Sequence, residues 1–372
     1  MQDGKGQVVP VELVTKGAKY AANKLGSAMT HHMTEASNGP RQYLWARDWV
    51  EPGVSDLAMS HTSVVITGER LLIVGATSGA ALTFNDTEGH PVRVVPVEGV
   101  TEVHDLLAVQ ESGEDLIWLA NCGFKIYGGS HDLEFRRAPT GGDVTQIDPQ
   151  GNRRRTLDRP PLDVYKDSPY QPTAVAVDEL RMGGSGDIWV ADGYGAGLVH
   201  RYGRDGQYLA TISGEEGAGH FDEPHDLLVD RRGTSPELYI ADRKNGRIQV
   251  YDLDGRFKRA VGQGTMPGPT SMALSGDVLV VSDLLAARIT LLDPDDALIV
   301  HLFAEPSAPK SWDDLPDAWP NARASDGTHE RAHLKPGAFH CPHGVAVDEE
   351  GTIYVTEFAI GGRVSVLQPR ES

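Results

Sequence analysis

Six copies of one strand-turn-strand unit run through this chain from about residue 57 onward. The unit is plainest in EPHDLLVD (223–230) with ELYIADRKNGRIQVYD (237–252), and in CPHGVAVD (341–348) with TIYVTEFAIGGRVSVL (352–367). It recurs as QPTAVAVD (171–178) with DIWVADGYGAGLVHRY (187–202), and as GPTSMAL (268–274) with DVLVVSDLLAARITLL (277–292). Two degenerate copies are MSHTSVVI (59–66) with RLLIVGA (70–76), and EVHDLLAV (102–109) with DLIWLAN (115–121). Short β-branched runs broken by Gly, Asp and Asn are strand signals, and helix-period segments are scarce. Length alone would suggest about two domains, but a fixed-period repeat overrides that prior. Four-stranded blades repeated radially close on themselves and so remove exposed sheet edges.

The expected fold is therefore an all-β, six-bladed β-propeller spanning residues 51–372, and its repeats resemble NHL repeats. The chain stops soon after the third strand of the last blade. An N-terminal arm, residues 1–50, is expected to supply the missing outer strand, either Val8–Val14 or Tyr43–Val50. The rest of the arm, with His31 and His32, reads as a tail. Two long irregular segments, near 121–142 and 304–340, are expected to form a lid over one face.

The chain carries 53 acidic and 34 basic side chains, a formal charge of −19. That surface repels nucleic acid and anionic membranes, so neither is an expected partner. No stretch approaches the roughly 18 apolar residues of a membrane helix, and the N-terminus lacks an apolar signal region, which points to a cytoplasmic protein. With two cysteines, Cys122 and Cys341, no disulfide framework is expected.

In an antiparallel blade the start of the inner strand shares a face with the turn between strands two and three. Inner strands begin at His61, His104, Thr173, His225, Thr270 and His343; the turns carry Asn121, Asp192, Tyr194, Asp242, Arg243, Asp283 and Glu357. His104, His225 and His343 lie 121 and 118 residues apart, in blades two, four and six. Alternate blades of a six-fold ring point at one axial spot. Three imidazoles there form a ligand set with an open fourth position, as in catalytic zinc sites, although imidazole also suits Cu, Fe or Ni. A lone Pro-His at such a strand start can equally be structural. His61 breaks the alternation and reads as a support to the ligands, a substrate contact or a core histidine. Asn121, Asp192, Thr173 and Thr270 are further candidates around the axis. Cys341 reads as a small buried residue, with a ligand or nucleophile as the functional alternative.

At these residues the sequence resembles the peptidyl-α-hydroxyglycine α-amidating lyases. The resemblance spans roughly residues 100–368 and is strongest in QPTAVAV…ADGYG, EPHDLL…ADRKNGRIQ and CPHGVAVDEEGTIYV. It implies zinc on His104, His225 and His343, a catalytic tyrosine at Tyr194 and a substrate-binding arginine at Arg243. It also implies cleavage of a carbinolamide C–N bond in a small or peptide-like substrate, giving an amide and an aldehyde. Three departures stand out. The family's second substrate arginine has no counterpart in LLIVGATSG (71–79). Gly344 replaces the aspartate of a calcium site, which counts against Ca2+ as a second cofactor, and Cys341 replaces a methionine. Two other readings compete: a hydrolase or hydratase using the same metal, and a non-catalytic NHL propeller that only binds. Gluconolactonase-like propellers resemble a carboxylate and asparagine site, unlike this histidine-rich axis. No phosphate loop, serine elbow or CxxC pair is present.

Overall fold

A computed structural model describes residues 30–36, 41–49 and 57–370 of the chain, so Val8–Val14 lies outside the described residues. Each sequence repeat folds as one antiparallel blade. Blade 4 is representative, with Pro224–Asp230, Glu237–Asp242, Arg247–Asp252 and Phe257–Val261 paired in order from the axis outward. Blade 1 begins at Val64–Ile66, blade 2 at Val103–Glu111, blade 3 at Ala174–Val177 and blade 5 at Pro269–Ser275, each heading a four-stranded sheet. Apart from strands, the described residues hold only three short 3-10 turns, the longest Asp163–Lys166.

The central strands are apolar on both faces, as in Val278–Asp283, where all six residues are buried. A strand of that kind needs a cover on each side, and a ring of blades supplies two. Accordingly there are six wedge-shaped cores, one between each pair of neighbouring blades. Trp118 and Val190 pack between blades 2 and 3, Trp189 and Ile240 between 3 and 4, Tyr239 and Val281 between 4 and 5. The remaining wedges hold Val280 with Val355, Tyr354 with Val74, and Ile73 with Leu119. Six separate interfaces for six blades mean a closed ring.

Closure comes from the N-terminal side. Blade 6 consists of Pro342–Val347, Ile353–Glu357 and Val364–Pro369, and Tyr43–Trp49 pairs antiparallel with the last of these. The pairing runs from Tyr43 opposite Pro369 to Trp49 opposite Val364, with an irregularity between Trp45 and Arg47. That irregularity redirects the strand, so Trp45 enters the wedge toward blade 5 and Trp49 the wedge toward blade 1. Thr30–Ala36 adds a fifth strand outside it.

The two faces of the ring differ because their turns differ. On one face an aspartate accepts backbone N–H groups two and four residues on, as Asp252 does from Asp254 (3.0 Å) and Arg256 (2.9 Å). A glycine in the left-handed region completes the turn, Gly255 at φ 83°. Asp293 repeats the device with Asp295 and Ala297, both at 2.9 Å. These turns leave no room for long connections. Both long segments emerge on the opposite face, where the inner strands begin.

Candidate metal centre

The axial layer is a strict alternation. Its even blades present His104, His225 and His343, all buried. The Nδ1 of each ring lies against a backbone carbonyl of the following blade: His104 to Thr173 at 2.6 Å, His225 to Thr270 at 2.8 Å, and His343 to Thr62 at 3.1 Å. A carbonyl can only accept, so Nδ1 carries the proton and each Nε2 lone pair is free to face the axis. Burial pushes all three imidazoles down, His104 to about 3, which keeps them neutral at ordinary pH.

This arrangement corrects the sequence register of blade 1. Thr62, not His61, occupies the inner-strand position equivalent to Thr173 and Thr270, because its carbonyl does the same work for His343. The alternation is therefore unbroken, and His61 is an additional imidazole one residue earlier. The ligand atoms of His61, His104, His225 and His343 all lie within 4.8 Å of one another, and all four residues are buried. His61 differs from the others in one respect: its Nδ1 is buried without a hydrogen-bond partner.

Tyr194 stands over this cluster on the turn between Ile188–Asp192 and Leu198–Tyr202. Its hydroxyl lies 2.9 Å from His61 Nε2, 3.1 Å from His104 Nε2 and 2.9 Å from His225 Nε2. Arg243, from the same turn of blade 4, approaches that hydroxyl with Nη2 at 3.5 Å, and its guanidinium lies 5.6 Å from the ring centre. Burial raises the Tyr194 phenol above its usual range, and the Arg243 charge pulls the other way. Arg243 is itself held by Glu223, which accepts from its Nε at 3.1 Å and its Nη2 at 2.5 Å. Glu223 adopts φ 56° to do so, and its two cationic neighbours Arg243 and Lys244 hold its carboxyl below the usual range against burial. Sequence reading missed Glu223. Its only signal is an acidic residue before a Pro-His, where other blades have Gln171 or Cys341.

Several candidates turn out to hold the backbone. Asn121 Oδ1 accepts from the N–H groups of Thr101, Glu102 and Gly123 at 3.1, 3.2 and 3.1 Å. Asp192 accepts from Gln171 N and Ala196 N, both at 2.6 Å, and from the Tyr165 hydroxyl at 2.7 Å; burial raises it to about 6. It thereby fixes the turn that carries Tyr194. Asp242, Asp283 and Glu357 occupy the same repeat position and pair with Arg247, Arg288 and Arg363 at 2.7, 2.9 and 2.8 Å. Thr173 and Thr270 contribute carbonyls to the imidazoles, while their hydroxyls donate to the carbonyls of Pro224 (2.7 Å) and Gly268 (2.9 Å). Cys341 is fully buried, burial pushes its thiol up, and it is not among the four residues whose ligand atoms cluster on the axis. A Cβ on Gly344 would lie 2.5 Å from Ser63 Cα, so no carboxylate fits there.

The two long segments join above the cluster. The 121–142 segment forms a hairpin, Phe124–Tyr127 with Glu134–Arg137, and His329 of the other segment donates its N–H to Ser130 O at 2.8 Å. Phe124 and Phe358 pack on His61, with ring centres 5.9 and 4.8 Å away, and Trp312 lies 5.6 Å from the Arg243 guanidinium. Aromatic carbon thus walls the imidazoles from bulk solvent.

The residues fit a metal ion. His343 Nε2 is buried and has no partner, and an imidazole lone pair in apolar surroundings is costly unless something accepts it. Metal-ligating histidines characteristically donate their other N–H to a carbonyl, which His104, His225 and His343 are placed to do. Tetrahedral Zn–N bonds of about 2.0–2.1 Å imply nitrogens about 3.3 Å apart, so the 4.8 Å spread needs only modest contraction.

No family model matches the chain. It is similar to the human NHL repeat-containing protein 3, 28% identical over 197 residues, covering 51% of each chain. The Xenopus laevis peptidyl-glycine alpha-amidating monooxygenase A is 35% identical over 98 residues, 24% of this chain and 10% of that one. The chain thus spans about half the length of the NHL relative and a tenth of the amidating enzyme. Among solved structures, virginiamycin B lyase from Staphylococcus aureus superposes with TM-score 0.53 at 14% identity, over 86% of this chain and 98% of that one. The WD40 β-propeller domain of Doa1 gives TM-score 0.50 at 13% identity, over 88% and 85%. Over about half its length the chain is thus similar to an NHL repeat-containing protein, and its fold is that of a β-propeller. No helix among the described residues is long and apolar enough to cross a membrane.

Proposed function

We propose that this propeller is a metal-dependent lyase that cleaves the C–N bond of a small or peptide-like carbinolamide, with zinc as the preferred ion on His104, His225 and His343. The observation that carries the reading is the Tyr194 hydroxyl within 3.1 Å of three imidazole Nε2 atoms and 3.5 Å of an arginine. A bound divalent ion would supply Lewis acidity at the substrate hydroxyl and favour phenolate at Tyr194. Tyr194 then takes the hydroxyl proton as the carbonyl forms and the C–N bond breaks, and the departing nitrogen is protonated to the amide. Arg243, held by Glu223, supports the phenolate and orients an anionic group of the substrate. The aromatic cover excludes water. The partial similarity to amidating enzymes and the fold shared with a lyase support this reading. Two buried free cysteines fit a reducing compartment such as the cytoplasm.

The test is incubation of the full chain with N-acyl-α-hydroxyglycines in 18O-labelled water, with plasma mass spectrometry of the protein. One metal per chain, with amide and glyoxylate formed and no label in the amide, is expected. Label in the acyl product would make it a hydrolase on the same site. A metal-free protein that takes up no ion on reconstitution would leave a binding propeller.

A further inference from the structure

Between the hairpin of the 121–142 segment and the start of blade 3 lies a cleft of about 390 Å³ flanked by Arg137 and Arg159, with Thr140, Tyr170 and Gln171 among its walls. Both arginines are exposed, and neither has a carboxylate partner among the described residues. That is unexpected in a chain of −19, where the adjacent Arg136 pairs with Glu134 at 2.8 Å and Arg155 with Glu111 at 3.1 Å. The cleft also adjoins the reacting centre. The Gln171 amide, oriented to satisfy both ends, donates to the Tyr194 carbonyl at 2.9 Å and accepts from Arg137 Nη1 at 3.2 Å. The Arg137 guanidinium lies 5.3 Å from the centre of the Phe124 ring, which also meets the rings of Tyr194, Phe135 and His61 at 5.5, 5.8 and 5.9 Å. One aromatic layer separates this positive cleft from the imidazoles.

We propose that Arg137 and Arg159 form a subsite for a carboxylate that the substrate bears away from the reacting bond, such as an acidic side chain on the acyl portion. The proposal rests on the lyase reading for the identity of the substrate, but not for the anion itself. Two guanidiniums on a carboxylate form charge-assisted hydrogen bonds, and exposure to solvent limits their gain to a few-fold in affinity.

The experiment compares N-acetylglutamyl-α-hydroxyglycine with N-acetylglutaminyl-α-hydroxyglycine on the full chain and on R137Q, R159Q and the double variant. The wild type is expected to show a KM about fivefold lower for the glutamyl substrate at low salt. The double variant should lose that preference, the ratio of the two KM values falling to about one, a readout in which any change common to both substrates cancels. Equal KM values in the wild type, or an intact preference in the double variant, would overturn the subsite while leaving the lyase reading standing. Calorimetric titration with the product amides, N-acetylglutamic α-amide against its glutamine counterpart, reads the same subsite without turnover. Selective binding of the glutamic amide that vanishes in the double variant, with neither hydroxyglycine cleaved, would retain the subsite and remove the lyase reading. Neither selective binding nor turnover would remove both.

Discussion

Even and odd blades bring the same inner-strand position to the axis in two chemical forms. Blades 2, 4 and 6 present imidazoles; blades 3, 5 and 1 present threonines whose carbonyls lie against those rings. One is a side chain that substitution removes, the other a backbone group that substitution leaves in place. The difference shows how a repeat built from near-identical units makes a three-fold site: each imidazole and the carbonyl that orients it sit in adjacent copies. His61 stands apart from both sets. It reaches the Tyr194 hydroxyl with one nitrogen and has no partner for the other.

The sharpest test of that contrast is metal content. His225→Ala should reduce bound metal from about one per chain to near zero, and His104→Ala and His343→Ala should match it, while His61→Ala keeps most of the metal. Equal loss in His61→Ala would make the site a four-imidazole centre without an odd member. Tyr194→Phe should keep the metal and lower kcat by about 10²–10⁴-fold, as loss of a positioned base does; an unchanged rate would move the proton to His61.

Acid stability probes the burial of the imidazoles. His104 is depressed to about 3 in the folded chain against about 6.5 when unfolded, so protons favour the unfolded state between those values. Stability from this group is complete above pH 6.5 and falls with pH, by about 2 kcal/mol between pH 7 and 5. The metal-free protein should show that slope in urea midpoints, and His104→Gln should lack its share. Glu223→Gln, which releases one carboxylate from Arg243, should raise KM about tenfold with the metal retained. An unchanged KM would show that Arg243 needs no such support. Thr270→Ala is the smallest perturbation: the carbonyl stays, the hydroxyl bond to Gly268 goes, and a loss of about 1 kcal/mol is expected with metal binding intact. A fall in metal affinity would mean that the side chain, not only the backbone, orients His225.

The repeat made the ring and the alternation of His104, His225 and His343 legible, because Pro-Thr or Pro-His marks the strand starts of blades 3 to 6, and Val103-His104 followed by Asp105-Leu106 matches the blade-4 pattern. Blade 1 reads Ser60-His61-Thr62 with no proline, so the strand start shifted by one residue and His61 stood where Thr62 belongs. Asp192 and Asn121 had the right residue types for chemistry, yet their position in the repeat is that of a backbone cap, which only the hydrogen bonds distinguish. Glu223 was illegible because its role depends on a left-handed backbone and a partner 20 residues away.

The bond between His343 and Thr62 spans 281 residues and crosses the seam where the last blade meets the first. Loop closure of that length comes late in folding, after the local pairings within each blade. A nascent chain lacking its last blade holds two of the three imidazoles and none of the seam. An ion held by all three imidazoles would therefore bind only to a finished ring, and its binding there would lock the seam by mass action. Occupancy would then serve the molecule as a proofreading signal of complete assembly.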